Sequence, residues 1–526
     1  MDRIEPYDRR WAALGVLILS LFVISLDNTI MNVTLPTLVR DLGASASQLQ
    51  WIVDAYVLVF AGLLLTAGSL GDRYGRKGAL TIGLLIFGLG SALGALSSTP
   101  EQLIATRAFM GIGGALIMPA TLSILTNVFP AEERAKAIAI WSAIAGLGFG
   151  LGPALGGWML ERFWWGSVLL VNVPVVIVAI ALGRRLVPTS KDPAADRPDP
   201  LGAVLSIGGL ASLLYGVIEA PRNGWTDATT VAWLGVGLVL LTAFVLWELR
   251  SDHPMLDMRF FRNPRFTAAS VSITLSFFAL AGSMFFLTQI FQFLMGYSTL
   301  RAGVAILPAA LASAVGAPVG ALVARRFGAK VAVTGGLVTI AAGLAIVGWI
   351  TTGSGYGLLL AAMLVAGFGV GVAMTPATDS IMGSLPQAKA GVGSAVNDTT
   401  REVGGALGVA ILGSLLASTF AAGMGDAAAA LPPGASEIAR DSLGGALAVA
   451  QQLGGGTARM LIESARTAFV DGTSFAMLVG AGFALAGAVV ALVFLPARAR
   501  RDDEQHVITV DVEPMTSEDL VVERVA

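Results

Sequence analysis

Long apolar runs, separated by short polar segments, divide almost the whole of the chain. Fourteen of these runs are near or above the ~20 residues that an α-helix needs to cross a bilayer. We predict membrane-spanning helices at residues 11–36, 51–70, 79–97, 101–126, 137–160, 166–187, 201–219, 230–249, 267–294, 302–324, 331–351, 357–383, 392–420 and 474–496. The pattern therefore predicts an all-α, polytopic membrane protein with 14 spans and both ends on one side.

The composition agrees with these spans and excludes an ordinary soluble domain. Of the 526 residues, 55% are hydrophobic and 13% are charged, whereas about a quarter are charged in soluble proteins. The chain has no cysteine, which excludes disulfides, thiolate metal sites and a cysteine nucleophile. Its net charge of −2 gives no basic surface, so we expect no nucleic-acid partner.

The positions of lysine and arginine predict the orientation. Of the 33 such residues, 24 fall in segments that share a side with the two ends, 7 fall on the other side, and Arg107 and Arg401 lie within spans. Cytoplasmic loops carry this excess, so both ends are predicted to be cytoplasmic. The first run is too long for a signal-peptide core and lacks a small-x-small cleavage pattern, so we expect it to be retained.

Two linkers bracket the seventh and eighth spans. Residues 188–200 are rich in proline and aspartate, and residues 250–265 are rich in charged residues. The predicted domains are 1–190, a six-helix bundle; 191–265, a linker with two inserted spans; 266–496, a second six-helix bundle with the loop 421–473; and 497–526, a disordered cytoplasmic tail.

Two further features follow from this division. The run Gly320–Lys330 resembles an imperfect copy of the loop Gly68–Leu80, which suggests an internal repeat. The loop 421–473 is predicted to lie outside the cell. Its alanine-rich runs near 438–452 and 458–469 fit short amphipathic helices or a disordered tether, and the sequence leaves both open.

The loop Gly68–Leu80 combines glycines with crowded charges at a membrane face. Asp72, Arg73 and Arg76 could clamp neighbouring helices by charge-assisted hydrogen bonds, and Gly75 allows a tight reversal. The alternative is an ordinary basic cytoplasmic loop.

Ionisable residues within spans are costly and are functional candidates by default. Asp27 in the first span and Arg107 in the fourth are predicted to lie at similar depth, because a helix rises ~1.5 Å per residue. The pair is either a structural salt bridge or a proton site. Both histidines lie in predicted loops, so any transported proton requires carboxylates, whose protonated form desolvation favours.

Further acids within spans are Asp54, Asp398, Glu402 and, less deeply, Asp379. Asp398 and Glu402 share a helix face and would repel each other, which a cationic substrate or a shared proton would relieve. Asp398 could instead lie near the cytoplasmic end in water. Arg401 is adjacent to Glu402 in sequence but lies about 100° around the helix from it, so we expect Arg401 to interact with another partner.

Several apolar side chains could wall a cavity for an organic cation, although packing is the commoner role for such residues. These are Met31, Phe277, Phe278, Phe285 and Phe286. The glycine-rich run Gly146–Gly157 follows no strand and lacks the phosphate-loop lysine, so nucleotide binding is improbable and close helix contact is favoured.

Four motifs carry a family resemblance. The loop Gly68–Leu80 looks like the signature loop of major facilitator superfamily transporters. Leu26–Pro36 resembles the first-helix motif of the drug:proton antiporters, and Arg107–Gly111 resembles their fourth-helix motif with Met110 replacing the usual glutamine. Gly148–Gly157 resembles the antiporter motif of the fifth helix, with its residues Gly148, Gly152, Pro153, Gly156 and Gly157.

The chain is therefore similar to the fourteen-spanner drug:proton antiporters, the branch of quaternary-ammonium and multidrug efflux pumps. Trp51–Tyr56 and Asn172–Pro174 also fit that branch. The resemblance implies two six-helix bundles plus two inserted helices, and export of lipophilic, cationic compounds across the bacterial inner membrane in exchange for protons.

Carried over, the resemblance assigns roles to the candidate residues. Asp27 and Arg107 would couple protons, and Asp72 with Arg73 would form the clamp. The acids Asp54, Asp398 and Glu402 would contact cations. The span 302–324 lacks the acid that some organic-cation exporters carry there, which weakens the case for divalent substrates.

The resemblance also sets the remaining expectations. We expect no cofactor besides the coupling proton, no metal and a monomer in the lipid bilayer. Export of one natural product or lipid is the alternative. We do not expect a membrane enzyme, because the sequence shows no catalytic cluster rich in histidine, cysteine or aspartate.

Overall fold

The computed structural model describes residues 9–44, 46–191, 199–453 and 455–496. The predicted tail 497–526 and part of the linker 188–200 lie outside these residues. The described chain is mostly helical, with no β-strand in these four ranges. The predicted all-α class is confirmed.

Eighteen α-helices form the described chain. Their bounds are α1 Arg10–Leu42, α2 Ala46–Tyr74, α3 Arg76–Ala95, α4 Pro100–Val128, α5 Ala131–Leu160, α6 Ser167–Leu170, α7 Asn172–Leu186, α8 Pro200–Asn223, α9 Ala228–Glu248, α10 Pro264–Gln289, α11 Thr299–Phe327, α12 Ala329–Val347, α13 Tyr356–Met382, α14 Ala390–Gly423, α15 Gly425–Ala429, α16 Pro433–Asp441, α17 Leu443–Leu453 and α18 Gly455–Phe494.

Thirteen helices of the described chain are long and apolar enough to cross a membrane. Each coincides with one of the predicted spans, and the predicted span 137–160 falls within α5, a further helix of 30 residues. Most helices extend beyond the apolar run that predicted them. One such helix is α1, which continues to Leu42 and ends at Gly43, whose φ of +65° only glycine adopts readily.

The helices surround two main hydrophobic cores. Helices α1–α7, here called the first bundle, bury residues such as Leu21, Phe60 and Phe87. Helices α10–α14 and α18, the second bundle, bury residues such as Phe286 and Phe291. The bundles meet along α5 with α11 and along α2 with α14.

The inserted pair α8 and α9 touches both bundles. These two helices pack against each other, and α8 also contacts α2 and α14. The rings of Trp51 on α2 and Tyr215 on α8 lie 5.7 Å apart, and Trp225 Nε1 donates a hydrogen bond of 2.9 Å to Ser414 Oγ on α14.

The segment predicted as the loop 421–473 requires a correction. Helix α14 runs to Gly423, and α18 begins at Gly455, so the predicted short helix near 458–469 is the start of one continuous 40-residue helix. No proline interrupts residues 455–494, and the helix therefore continues past the end of the apolar run.

The rest of this segment is also helical, so the tether alternative is wrong. The run near 438–452, predicted as one short helix, is divided between α16 and α17, and α15 precedes them. They bury Ala439, Leu443 and Ala446 in a core continuous with that of the second bundle. This cap, defined here as α15–α17, is therefore an ordered extension of the second bundle.

Candidate functional site

A buried ion pair joins the first and fourth helices. Arg107 Nη1 on α4 donates to Asp27 Oδ2 on α1 at 2.5 Å. Arg107 Nε donates to the carbonyl oxygen of Ile52 at 3.1 Å, and the arginine Cζ lies 4.5 Å from the Tyr56 ring centroid. The two charged side chains are 0–1% exposed. The guanidinium is thus held by a carboxylate, a carbonyl and an aromatic ring.

A third helix holds the other oxygen of the carboxylate. Asn172 Nδ2, at the start of α7, donates to Asp27 Oδ1 at 2.9 Å and to Ser91 Oγ at 3.0 Å. The sequence placed Asn172 in a branch motif without a role. Breaking a buried pair leaves an uncompensated charge at a cost of about 3–5 kcal/mol, so removal of either charge should destabilise this arrangement.

The charged loop makes a second site, on the face of the molecule that carries the turn at Gly75. Asp72 accepts hydrogen bonds from the backbone N–H groups of Gly391 at 2.9 Å and Val392 at 3.1 Å. These groups belong to the first turn of α14, where the helix dipole favours a negative charge. Asp72 of the first bundle therefore caps a helix of the second bundle.

Of the two clamp arginines named from the sequence, Arg76 is the one that pairs with Asp72. Arg76 Nε donates to Asp72 Oδ1 at 2.7 Å, and its Nη2 donates to the Ala388 carbonyl at 2.8 Å. Arg73 instead lies over the neighbouring Tyr74 ring, 5.3 Å from its centroid. The adjacent residue points around the helix, whereas Gly75, with φ +119°, turns the chain so that Arg76 faces back.

Two glycines, which have no side chain, let α2 and α14 come close enough for this contact. A Cβ added at Gly68 on α2 would lie 2.7 Å from the Ala395 Cβ on α14, and one at Gly391 would lie 2.6 Å from Asp72 Cγ. Both distances are below normal van der Waals contact, so these glycines fix the spacing at which Asp72 reaches α14.

Two acids lie further along α14. Asp398 is 1% exposed and accepts a hydrogen bond of 3.1 Å from Asn397 Nδ2, so the alternative that it lies in water is wrong. Glu402 is partly buried one turn later and lies close enough to Tyr56 of the first bundle for an electrostatic interaction. Glu402 therefore faces the region between the bundles.

Arg401 occupies the centre of this region. Its Nη2 donates to Thr378 Oγ1 at 3.2 Å, and its Cζ lies 5.4 Å from the ring centroids of both Trp141 and Phe277. Arg401 therefore has contacts besides the neighbouring acids, and it also lies within electrostatic range of Asp398 and Glu402. Trp141 belongs to α5 of the first bundle. Its contact with Arg401 could not be predicted from the sequence, because only the tertiary fold brings it to α14.

The other candidates divide between packing and partial burial. Met31, Phe278 and Phe286 lie in the hydrophobic cores, while Asp54 is partly buried on α2. The side chain of Phe285 lies outside the described part of the structure. Asp379 on α13 lies within electrostatic range of Arg134 and Arg265.

The glycine-rich run on α5 is a packing seam. Gly148, Gly152 and Gly156 lie against α1, where a Cβ would meet Phe22 and Ser25, Thr29 and Ile30 respectively. On the opposite side, Gly157 and Pro153 contact Leu300 and Gly303 of α11. The run therefore joins α5 both to the helix of Asp27 and to the second bundle.

These features define a multi-pass membrane protein of the transporter class, with a buried ion pair in one bundle and contacts that cross between bundles. A family model described as Major Facilitator Superfamily matches residues 17–409, and the chain belongs to that superfamily. It is 39% identical to the multidrug efflux pump LfrA of Mycolicibacterium smegmatis, over 92% of this chain and 95% of that one.

Other relatives carry related names. The chain is 36% identical to the methyl viologen resistance protein SmvA of Salmonella typhimurium, over 94% and 99% of the two chains. It is 33% identical to the tetracenomycin C resistance and export protein of Streptomyces glaucescens, over 92% and 91%. The crystal structure of the human organic anion transporter MFSD10 shares the fold, with a TM-score of 0.59, 13% identity and coverage of 92% and 99%.

Proposed function

We propose that this protein is a multidrug efflux antiporter that exchanges protons for lipophilic, chiefly cationic compounds across the bacterial inner membrane. The observation that carries the proposal is the buried pair of Asp27 and Arg107, because charges inside a membrane protein are retained mainly at ion and proton sites. The relatives named for efflux and resistance support export of small drug-like molecules.

Proton coupling at this pair follows from its two charge states. A proton that binds Asp27 from the outer side cancels the attraction to Arg107, and release of that proton to the inside restores it. Asn172 keeps a donor on the carboxylate in both states. The pair therefore converts proton binding into a bias between two conformations.

Alternation of the two bundles uses the contacts of Asp72. Its bonds to Gly391 and Val392 exist only while α2 and α14 are close, so the clamp forms in one conformation and opens in the other. Both termini, and with them the face of Gly75, are proposed to be cytoplasmic. The clamped state is then closed to the cytoplasm.

We propose that Asp398 and Glu402 of the second bundle recognise the positive charge of the substrate, with Asp54 contributing from α2. A desolvated carboxylate beside aromatic rings favours an organic cation. We propose that the protein acts as a monomer, needs no cofactor beyond the coupling proton and binds no nucleic acid.

The test uses purified protein and tetraphenylphosphonium. In proteoliposomes, a proton gradient should drive tetraphenylphosphonium transport, and an uncoupler should stop it. In detergent, adding the cation should release protons from the wild type. Asp27→Asn should lose both responses but still bind the cation, because the amide resembles the protonated acid and has no proton to release.

The control is Asp257→Asn, which removes an acid that lies outside the spans and pairs with Arg259. It should behave as the wild type. Proton release of wild-type size in Asp27→Asn would exclude this residue as the coupling site, and gradient-independent transport would exclude antiport.

A second candidate is a dedicated exporter of one natural product. The similarity to the tetracenomycin C export protein favours it. A resistance panel of cationic and neutral drugs distinguishes the two, because a multidrug pump protects cells against several unrelated compounds and a dedicated exporter against one chemical class.

A further inference from the structure

The guanidinium of Arg401 lies where the two bundles meet. Trp141 comes from α5 of the first bundle and Phe277 from α10 of the second, and the Arg401 Cζ is 5.4 Å from each ring centroid. A cation within ~6 Å of an aromatic ring is attracted by its electrons. Arg401 thus occupies the site between these two rings, which we call the aromatic pair.

Two polar atoms beside the aromatic pair lack a hydrogen-bond partner in the described part of the chain. They are Arg401 Nε and Asp398 Oδ2. Both residues are buried, since Arg401 is 8% exposed and Asp398 is 1% exposed. Buried polar groups are nearly always satisfied. Residues three apart are neighbours on a helix surface, so a turn of the guanidinium toward Asp398 would satisfy both atoms.

We propose that Arg401 is the resident cation of the drug site. It occupies the aromatic pair when no drug is bound, and a lipophilic cation displaces it toward Asp398. This inference rests on the efflux function proposed above and specifies its cation site. Arg401 then determines specificity, because its charge competes with a cationic drug for the aromatic pair, whereas a neutral drug gains little from that pair and does not need to displace the charge.

The test compares binding of tetraphenylphosphonium and the neutral dye Nile red to the purified full chain. Arg401→Gln removes the resident charge, and affinity for the cation should rise about tenfold or more, because a like charge within the site is lost. Nile red affinity should stay within about twofold, since it carries no charge. Arg401→Lys keeps the charge and should retain the wild-type ratio of the two affinities.

Two further variants act as controls. Arg401→Met repeats the charge removal if Arg401→Gln does not fold. Arg326→Gln removes an exposed arginine at the end of α11 and should change neither affinity. In the wild type, tetraphenylphosphonium should alter the fluorescence emission of Trp141, because the guanidinium leaves that ring. The Trp141 emission is obtained by subtracting the spectrum of Trp141→Phe from that of the wild type.

The outcomes separate this inference from the efflux function. If the wild type binds neither ligand, the efflux proposal is wrong as well. If it binds tetraphenylphosphonium but loss of the Arg401 charge raises both affinities equally, or neither, only the resident-cation proposal is overturned. An unchanged Trp141 emission on cation binding also overturns it.

Discussion

Replacement of Asp72 by asparagine should shift the balance between the two conformations of the transporter. In the clamped state, one oxygen of Asp72 accepts from Gly391 and Arg76, and the other accepts from Val392. Asparagine keeps one acceptor oxygen but places an NH₂ group against a backbone N–H, and it loses the ion pair with Arg76.

The size of the shift follows from these bonds. A hydrogen bond to a charged group contributes about 1.5–3 kcal/mol, and the substitution removes one such bond and weakens the others. A net loss of about 3 kcal/mol would change the ratio of clamped to open protein by roughly 100-fold. Because the bonds to Gly391 and Val392 form between two folded bundles, the amount of protein in the membrane should stay near the wild-type level while transport slows at least about tenfold.

The chain has no cysteine, so the shift can be measured with introduced cysteine pairs. Spin labels at the exposed positions Tyr74 and Phe327 report the distance between the bundles on the clamp face. Asp72→Asn should move the distance distribution toward longer values.

The matched control is Arg73→Gln, which removes a charge from the same loop without touching the bonds of Asp72. It should leave the distribution near that of the wild type. Identical distributions for Asp72→Asn and wild type, or an equal shift in Arg73→Gln, would refute the reasoning.

Two further predictions concern packing and topology. Gly152→Leu should prevent stable assembly, because its Cβ would collide with Thr29 of α1, whereas Gly78→Ala, with no atom within 4 Å of its Cβ, should be tolerated; the amount of monodisperse protein after detergent extraction measures both. An epitope tag inserted at Gly434 of the cap should be reached by antibody from the periplasmic side in spheroplasts, and access only from the cytoplasmic side would contradict the proposed orientation.

The sequence predicted the ion pair because depth along a helix is a local property. Asp27 and Arg107 could be placed at one level from their distances to helix ends. The role of Asn172 could not be predicted in this way, because it depends on the rotation of α7 relative to α1 and α3. The same limit applies to Trp141, whose contact with Arg401 crosses between bundles.

Two details near helix ends could not be predicted from local rules. The sequence placed Arg73 and Arg76 in one clamp with Asp72, and only the turn at Gly75 shows that Arg76 is the arginine that meets the carboxylate. The apolar run of the last span starts at residue 474, yet α18 begins at Gly455. Hydropathy marks where a helix can contact lipid, whereas backbone hydrogen bonding continues as long as no residue breaks it.

The location of the proposed proton pair limits how it can be coupled to substrate. Asp27, Arg107 and Asn172 all belong to the first bundle, so none of their mutual bonds changes directly when the bundles move. Tyr56 is the link, because its ring lies 4.5 Å from Arg107 Cζ and it interacts electrostatically with Glu402 of the second bundle. A change in the charge of Asp27 alters the field at Tyr56 and Glu402, and a cation bound near Glu402 alters the field at Arg107. In the proposed mechanism, coupling between the two sites is therefore reciprocal, as linkage requires, and it acts only while α14 lies against α2.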